Sequence, residues 1–420
     1  MRRTVVVLAC VGAVVVLVVA AVVAVVITRS STTSRDDARF QESIASFYES
    51  PDTPAAPGEL IRIEPIDDLD VPGGTAYRML YGTQRPDGSP AVSSGMLIVP
   101  TAPAPPGGRP VLAWSHGTLG FGDECTPSRR YHPTMEDTLD FTNWLPSVME
   151  RGWVVAATDY TGLGTAGDTY YLIARSEAQD VLNSVRAARD HAPAQASSVY
   201  ATFGHSQGGH AAIGTAMFAD YAPELRSVGA AAAAPAALLG PLFSEQWNTF
   251  VAWGIGPSVA VSWPVVYPDL PLEGVLGDAA MSRYRSLADG CITDELPELL
   301  LERAEGEQFF DSDPMQNPDW AAAAADQAID LSRVDVPLFV VQSLADTVVL
   351  PNTTALLART ACTAPSPESD VAWIGQVAHQ DTAKVGGLVA VDWLQDRFDG
   401  VPAPNSCSHP SPIAPAEPTG

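Results

Sequence analysis

The sequence predicts an α/β fold: a mostly parallel central sheet with helices on both faces and an inserted, mainly helical cap. Three observations carry this. Short, wholly apolar runs alternate with helical-period segments from Pro110 onward, the pattern of βα units whose strands are buried on both sides. One run, Val199 to Phe203, leads directly into Gly204-His205-Ser206-Gln207-Gly208 and then into a helical stretch from Ala211. The alternation stops between Ala236 and Asp330 and resumes at Pro337, which marks an insertion.

Taken in order, the chain opens with Arg2 and Arg3 before an apolar run from Val5 to Ile27. The run exceeds the 7–15 apolar residues typical of a cleaved signal and reaches the ~20 that a spanning helix needs. Residues 1–28 therefore read as an export segment. An uncleaved anchor over 4–28 is preferred to secretion after cleavage at the weak Val22-Val23-Ala24 site, with the rest of the chain on the outer side. Cys10 lies inside the run as one more apolar residue. Residues 29–58 form a polar, then Pro-rich linker with a short helix around Gln41–Tyr48.

Residues 59–235 form the first part of the core. Glu59–Pro65, Ala76–Tyr81 and Gly95–Val99 read as antiparallel strands, and Pro110–Ser115 as the first central parallel strand. Leu139–Arg151 reads as a helix stopped by Gly152, Trp153–Thr158 as a strand and Ser176–His191 as a helix with Ala178, Val181, Leu182, Val185 and Ala188 on one face. Asp159, in the loop after its strand, reads as a residue that fixes the loop by bonding backbone N–H groups. Ser227–Pro235 is a further strand. Residues 236–330 form the cap. Phe243, Trp247, Phe250, Trp253, Trp263 and Tyr267 would divide between the cap's own core and a water-poor pocket, and a more acidic helical part runs through Glu307. Residues 331–400 complete the core with strands Pro337–Gln342 and Asp370–Ile374 and a closing helix Gln380–Phe398. Residues 401–420 are a Pro-rich tail.

A strand, a tight G-x-S-x-G turn and a helix form a nucleophile elbow that raises the Ser206 hydroxyl above the sheet. A serine hydroxyl is a weak nucleophile until an imidazole takes its proton and a carboxylate fixes that imidazole's tautomer. In the α/β-hydrolase fold the partners follow in the order Ser, Asp or Glu, His, on loops after later strands. Asp346 follows the strand ending at Gln342, and His379 follows the next. Asp370 starts a strand and so faces the other end of the sheet. His409 is in the tail, His205 abuts the serine and points elsewhere, and His210 is on the following helix. The candidate triad is Ser206, Asp346 and His379. The turn His116-Gly117-Thr118 after the first central strand suits half of an oxyanion hole. One donor would be the N–H of Gly117 or Thr118, a choice left open, and the other the N–H of Gln207.

The formal charge of -26 opposes nucleic acid and anionic membrane surfaces as partners and favours solubility outside the cell. Four cysteines, Cys125, Cys291, Cys362 and Cys407, follow the apolar run. In an exported domain they read as two disulfides, with three connectivities possible. No C-x-x-C spacing or phosphate-binding loop points to a metal or cofactor.

The ordered set Ser115-His116-Gly117-Thr118-Leu119-Gly120, Cys125-Thr126-Pro127-Ser128, Asp159-Tyr160-Thr161-Gly162-Leu163-Gly164, Gly204-His205-Ser206-Gln207-Gly208-Gly209, the Asp346 loop through Pro351, and His379 resembles the secretory lipase family, which includes yeast lipases of type A. The resemblance spans about residues 40–400. It implies an α/β-hydrolase fold with a mainly helical cap, and cofactor-free cleavage of carboxylic esters, acylglycerols among them. It also implies the pairing Cys125–Cys291 and Cys362–Cys407. The expectation is an exported lipase or esterase with a lipid or small ester as substrate. The alternatives are an acyltransferase on cell-envelope lipids using the same acyl-enzyme, a peptidase, and a non-catalytic surface binding protein.

Overall fold

The computed structural model describes residues 36–130, 141, 143–292, 306–363 and 368–418. The expected anchor over 4–28 lies outside the described residues. Among the described residues no helix is long and apolar enough to cross a membrane. The chain divides into two units, Met1–Ser46 and Phe47–Gly420. The first is helical over 36–44, starting earlier than the Gln41 expected from its sequence.

In the second unit the described strands form one nine-stranded sheet of order β1-β2-β3-β5-β4-β6-β7-β8-β9. Strands β1 (Leu60–Pro65), β2 (Gly74–Gln84) and β3 (Pro90–Pro100) open it as an antiparallel meander, and β3 also pairs antiparallel with β5. The rest is parallel: β4 (Arg109–Ser115), β5 (Val154–Thr158), β6 (Ala196–His205), β7 (Arg226–Ala233), β8 (Leu338–Ser343) and β9 (Ser369–Ile374). The continuous apolar runs follow from burial of both faces. Leu112 and Trp114 of β4 join Phe203 of β6 and Phe339 of β8 in one core, while Val111 and Ala113 join Tyr200 in another.

Helices α1 (Leu145–Glu150) and α9 (Thr382–Phe398) contribute Leu145, Val148 and Trp393 to the first core. Helix α2 (Ala174–Asp190) packs Val181, Leu182 and Val185 into the second, and α3 (Gln207–Met217) packs Ile213 and Met217 into a third with β7 and β8. Of the helix expected over Leu139–Arg151, residues 139, 140 and 142 lie outside the described residues, and Gly152 ends α1 at φ +75°. Helix α3 starts four residues before the expected Ala211; Gly208 and Gly209, poor helix formers that hide this start in the sequence, stand there because a Cβ would meet the Ser115 carbonyl oxygen and Pro235, respectively.

Between β7 and β8 the described residues form helices α4 (Leu239–Gln246), α5 (Phe250–Val266), α6 (Asp278–Asp289) and α7 (Pro318–Gln327), with no strand of the sheet. The expected acidic stretch through Glu307 lies outside the described residues over 293–305. Helix α5 is apolar all round, as befits a helix buried on most sides. Trp263 packs against Phe243 and Trp320 with ring centroids 5.6 and 5.8 Å apart, and Trp253 against Phe309 at 5.4 Å. Phe243, Trp253 and Trp263 thus fill this segment's own core, whereas Trp247, Phe250 and Tyr267 keep partial exposure. The chain closes with α8 (Pro351–Ala361), β9, α9 and the tail.

Disulfides join Cys125 to Cys291 and Cys362 to Cys407. The first ties the segment after β4 to the end of α6, where Phe121 N–H donates to the Ala288 carbonyl (2.7 Å) and Ile292 N–H to the Leu119 carbonyl (2.9 Å). The second holds the start of the tail against α8.

Candidate active site

Ser206 stands between β6 and α3 at φ 58°, ψ -117°, a conformation that costs a side-chain-bearing residue energy and persists only where neighbours enforce it. The flanking glycines show what enforces it. A Cβ on Gly204 would meet the Gly208 carbonyl oxygen at 1.9 Å, and one on Gly208 would meet the Ser115 carbonyl oxygen at 1.9 Å. The turn is also pinned from β7, since Ser206 N–H donates to the Ala233 carbonyl (2.9 Å) and Ala236 N–H to the Ser206 carbonyl (3.1 Å).

The structure brings Ser206, His379 and Asp346 together. The Ser206 hydroxyl lies 2.9 Å from His379 Nε2, and His379 Nδ1 lies 2.7 Å from Asp346 Oδ2. A carboxylate accepts, so Nδ1 carries the hydrogen and Nε2 is left to accept from the serine. Asp346 is buried, and its other oxygen accepts from the N–H groups of Val348 (2.9 Å) and Val349 (3.1 Å). Gln342, on β8, donates to Oδ2 at 3.3 Å.

Sequence reasoning missed the residue that joins the two loops. The Ser343 hydroxyl, at the end of β8, lies 2.9 Å from the Gly375 carbonyl oxygen and 2.6 Å from that of Val377, and it accepts from Ala345 N–H at 3.1 Å. It therefore sets the spacing of the Asp346 and His379 loops. Nothing around Ser343 in the sequence signals this. Among the residues set aside for the triad, His205 is buried and bonds to the His379 backbone, and His210 is buried against Glu177. Asp370 pairs with Phe339 at the start of β9, and His409 is exposed.

Gly117 lies against the elbow: a Cβ there would sit 3.4 Å from Ser206 Cβ. The Gly117 carbonyl accepts from His116 Nδ1 at 2.7 Å. The N–H of a trans peptide points opposite to its carbonyl, so Thr118 N–H faces away from the His116 ring. The Thr118 hydroxyl meets the Tyr171 hydroxyl at 2.8 Å. Burial pushes the Tyr171 phenol above its usual range, so it stays protonated. Gln207 is the first residue of α3, so its N–H has no partner within the helix. Thr118 and Gln207 line one small cavity, about 10 Å³ in volume, with Tyr160, Tyr171, Ser176 and Glu177.

Asp159 is buried, but its bonds reach beyond its own loop. It accepts from Ser94 Oγ at 2.7 Å, from Ser128 N–H at 3.3 Å and from the Ser128 hydroxyl, which secures the segment carrying Cys125 to β3 and the end of β5. Two polar contacts lead from the helical segment between β7 and β8 to the site. Trp263 Nε1 donates to the Tyr171 carbonyl (3.2 Å), and Gln246 Nε2 donates to the carbonyls of Thr347 (2.8 Å) and Val348 (2.7 Å) beside Asp346.

Comparison with known proteins agrees with this architecture. In structure the chain is similar to lipase A of Candida antarctica in its closed state, with a TM-score of 0.68 and 17% identity over 88% of this chain and 89% of that one. It is also similar to a point mutant of the rice cell wall degrading esterase LipA of Xanthomonas oryzae, with a TM-score of 0.66 and 19% identity over 81% of this chain and 99% of that one. These likenesses establish the α/β-hydrolase fold. In sequence the chain is 23% identical over 367 residues to a Mycobacterium tuberculosis protein described as a probable inactive lipase, covering 83% of this chain and 80% of that one. The profile of the family described as Secretory lipase matches residues 134–406, more than half of the chain, and on that match the chain belongs to the secretory lipase family.

Proposed function

We propose that this chain is an exported serine hydrolase that cleaves carboxylic esters, acylglycerols among them, through an acyl-enzyme on Ser206. The observation that carries the reading is the unbroken relay from Ser206 through His379 to Asp346, at 2.9 and 2.7 Å, on a strained elbow. His379 takes the serine proton as Oγ attacks the ester carbonyl, then returns it to the leaving alcohol. Water repeats the sequence on the acyl-enzyme. Asp346 holds the imidazole in the Nδ1–H tautomer and stabilises its cation. The N–H of Gln207 and that of Thr118 are the proposed oxyanion donors, with Gly117 allowing the approach. Thr118 is preferred to Gly117 as the donor because Thr118 and Gln207 line one cavity and Gly117 does not line it.

Residues 59–235 and 331–400 are the proposed catalytic core, 236–330 its cap and 401–420 a tail held by Cys407. The two disulfides and the family support a location outside the cell. The apolar run over 4–28 would retain the chain at the membrane unless it is cleaved. The Mycobacterium tuberculosis relative is described as a probable inactive lipase, yet here serine, histidine and aspartate are all present and in contact.

The test is hydrolysis of nitrophenyl esters from acetyl to palmitoyl by the chain and by its Ser206→Ala variant. Turnover that disappears in the variant supports the reading, and turnover that rises with chain length supports acylglycerols as the substrate class. A folded wild-type protein with no turnover at any chain length would overturn it.

A further inference from the structure

Beside the elbow lies a second carboxylate–histidine pair that the proposed hydrolysis leaves unused. Glu177 of α2 and His210 of α3 are 1% and 0% exposed, and Glu177 Oε2 lies 2.7 Å from His210 Nδ1. His210 Nε2 faces the Gln327 carbonyl oxygen at 2.8 Å. A carbonyl only accepts, so Nε2 carries a hydrogen. Glu177 Oε1 accepts from Gln207 Nε2 at 3.0 Å and from Leu172 N–H at 3.0 Å. One further hydrogen lies between Oε2 and Nδ1, so the pair as a whole carries no net charge, and with that hydrogen on the nitrogen His210 is an imidazolium. Burial pulls the His210 imidazole down, but the charge and hydrogen bond of Glu177, with the Gln327 carbonyl, leave it above its usual 6.5.

The two donors on Oε1 belong to the two sides of the proposed oxyanion hole. Gln207 is the residue after the nucleophile. Leu172, at φ 53°, follows Tyr171, whose hydroxyl meets Thr118. We propose that Glu177 is a positioning residue that sets both halves of the oxyanion hole, holding Gln207 through its side-chain amide and Thr118 through the Tyr171–Leu172 turn, while His210 neutralises its charge. This inference rests on the reading of Ser206, Gln207 and Thr118 given above. The neutralisation matters because a bare carboxylate here would repel the negative charge that develops on the substrate oxygen. The Gln327 carbonyl, at the end of α7, fixes the imidazolium from the cap side.

The experiment compares the wild-type chain with Glu177→Ala, Glu177→Gln and Glu177→Asp. Sites are counted by complete titration with a nitrophenyl phosphonate, and kcat per titrated site and KM are measured on nitrophenyl butyrate. Glu177→Ala should lower kcat per site by about 100-fold, with KM within about threefold. Glu177→Gln should recover kcat to within about fivefold, since its carbonyl can accept from Gln207 and Leu172 while its amide donates to a neutral His210. If Glu177→Ala yields no titratable sites, Glu177→Asp carries the test. It keeps the charge, shortens the reach by one methylene, and should lower kcat per site at least tenfold. Unchanged kcat per site in the alanine or aspartate variant, or a glutamine variant as impaired as alanine, would overturn the proposal. A wild-type chain without turnover would instead overturn the underlying reading of the site.

Discussion

His205 donates its Nε2 hydrogen to the backbone carbonyl oxygen of His379 across 2.9 Å, with the two rings 4.8 Å apart. The residue before the proposed nucleophile thus grips the main chain of the proposed base, which ties the elbow directly to a loop 174 positions away in sequence. Catalytic geometry of this kind tolerates little displacement, and an error of about 1 Å costs roughly 100-fold in rate. His205→Ala should lower kcat by about 10- to 100-fold with the fold retained. Steady-state kinetics beside a thermal melt checks it. An unchanged kcat would mean that the Ser343 hydroxyl alone keeps the His379 loop in place.

Asp346→Asn should reduce kcat by about 10⁴-fold while the chain stays folded. The backbone N–H groups of Val348 and Val349 need an oxygen opposite them. The asparagine carbonyl will take that place and turn its amide toward His379 Nδ1. The imidazole is then forced into the Nε2–H tautomer and no longer accepts the serine proton. Circular dichroism shows whether the fold survives, and pre-steady-state acylation shows where the loss lies. A fall of less than tenfold would show that Asp346 does not hold the tautomer.

What could be read from the sequence was what is local in it. The apolar runs of β4 to β8 are legible because both faces of each strand are buried, and the elbow because its strand, its G-x-S-x-G turn and its helix are consecutive in the chain, although the contact that requires Gly208 comes from Ser115. Asp346 and His379 could be proposed because each follows a strand. The Glu177–His210–Gln327 chain could not, since its members lie on three elements and only the fold juxtaposes them. Nor could the sequence divide the aromatic residues over 243–267 between core and surface, because hydrophobicity says that a residue is buried and not against what. Cysteine spacing left three disulfide pairings, and the one that the family resemblance implied, Cys125–Cys291 with Cys362–Cys407, is the one the structure holds.

The two disulfides should have different consequences when removed. In the loop-entropy description, a closed loop of 166 residues is worth about 5 kcal/mol and one of 45 about 4 kcal/mol, so both pairs of serine substitutions should lower the melting temperature. Only Cys125→Ser with Cys291→Ser should also lower kcat at temperatures where the protein is folded. That bond holds the 119–125 segment, which continues directly from Thr118, to the end of α6. Cys362→Ser with Cys407→Ser frees only the tail from α8 and should leave kcat unchanged. Equal kcat in both double variants would show that the first disulfide plays no part in holding the Thr118 turn.

Stability should peak on the acid side of neutrality. Burial raises the carboxyls of Asp159 and Asp180 from an ordinary 3.8 to about 6, against the hydrogen bonds of Ser128 and Ser94 on one and of Thr83 and Thr161 on the other. The folded chain therefore binds more protons than the unfolded chain between about pH 4 and 6. The resulting stabilisation is complete below 3.8 and is lost as pH rises through 6. A shift of about two units is worth about 3 kcal/mol per group, of which roughly half returns between pH 7.5 and 5. His210 acts in the same sense, because its folded value lies above 6.5 and its stabilisation fades as pH rises past that value. His191, half-buried and lowered below 6.5 by that burial, opposes them as pH falls below 6.5, and Glu224 opposes them only at lower pH, since Arg186 holds it below its ordinary 4.5 and its stabilisation is lost as pH falls through that depressed value. The urea midpoint should thus be higher at pH 5 than at pH 7.5. Asp180→Asn, whose amide can donate to the Thr83 and Thr161 hydroxyls while its carbonyl accepts from Thr161 N–H, should reduce that difference by about 1.5 kcal/mol. A midpoint that is flat or rises toward pH 7.5 would mean that both aspartates are already ionised at pH 5, with the serine and threonine hydroxyls compensating fully for their burial.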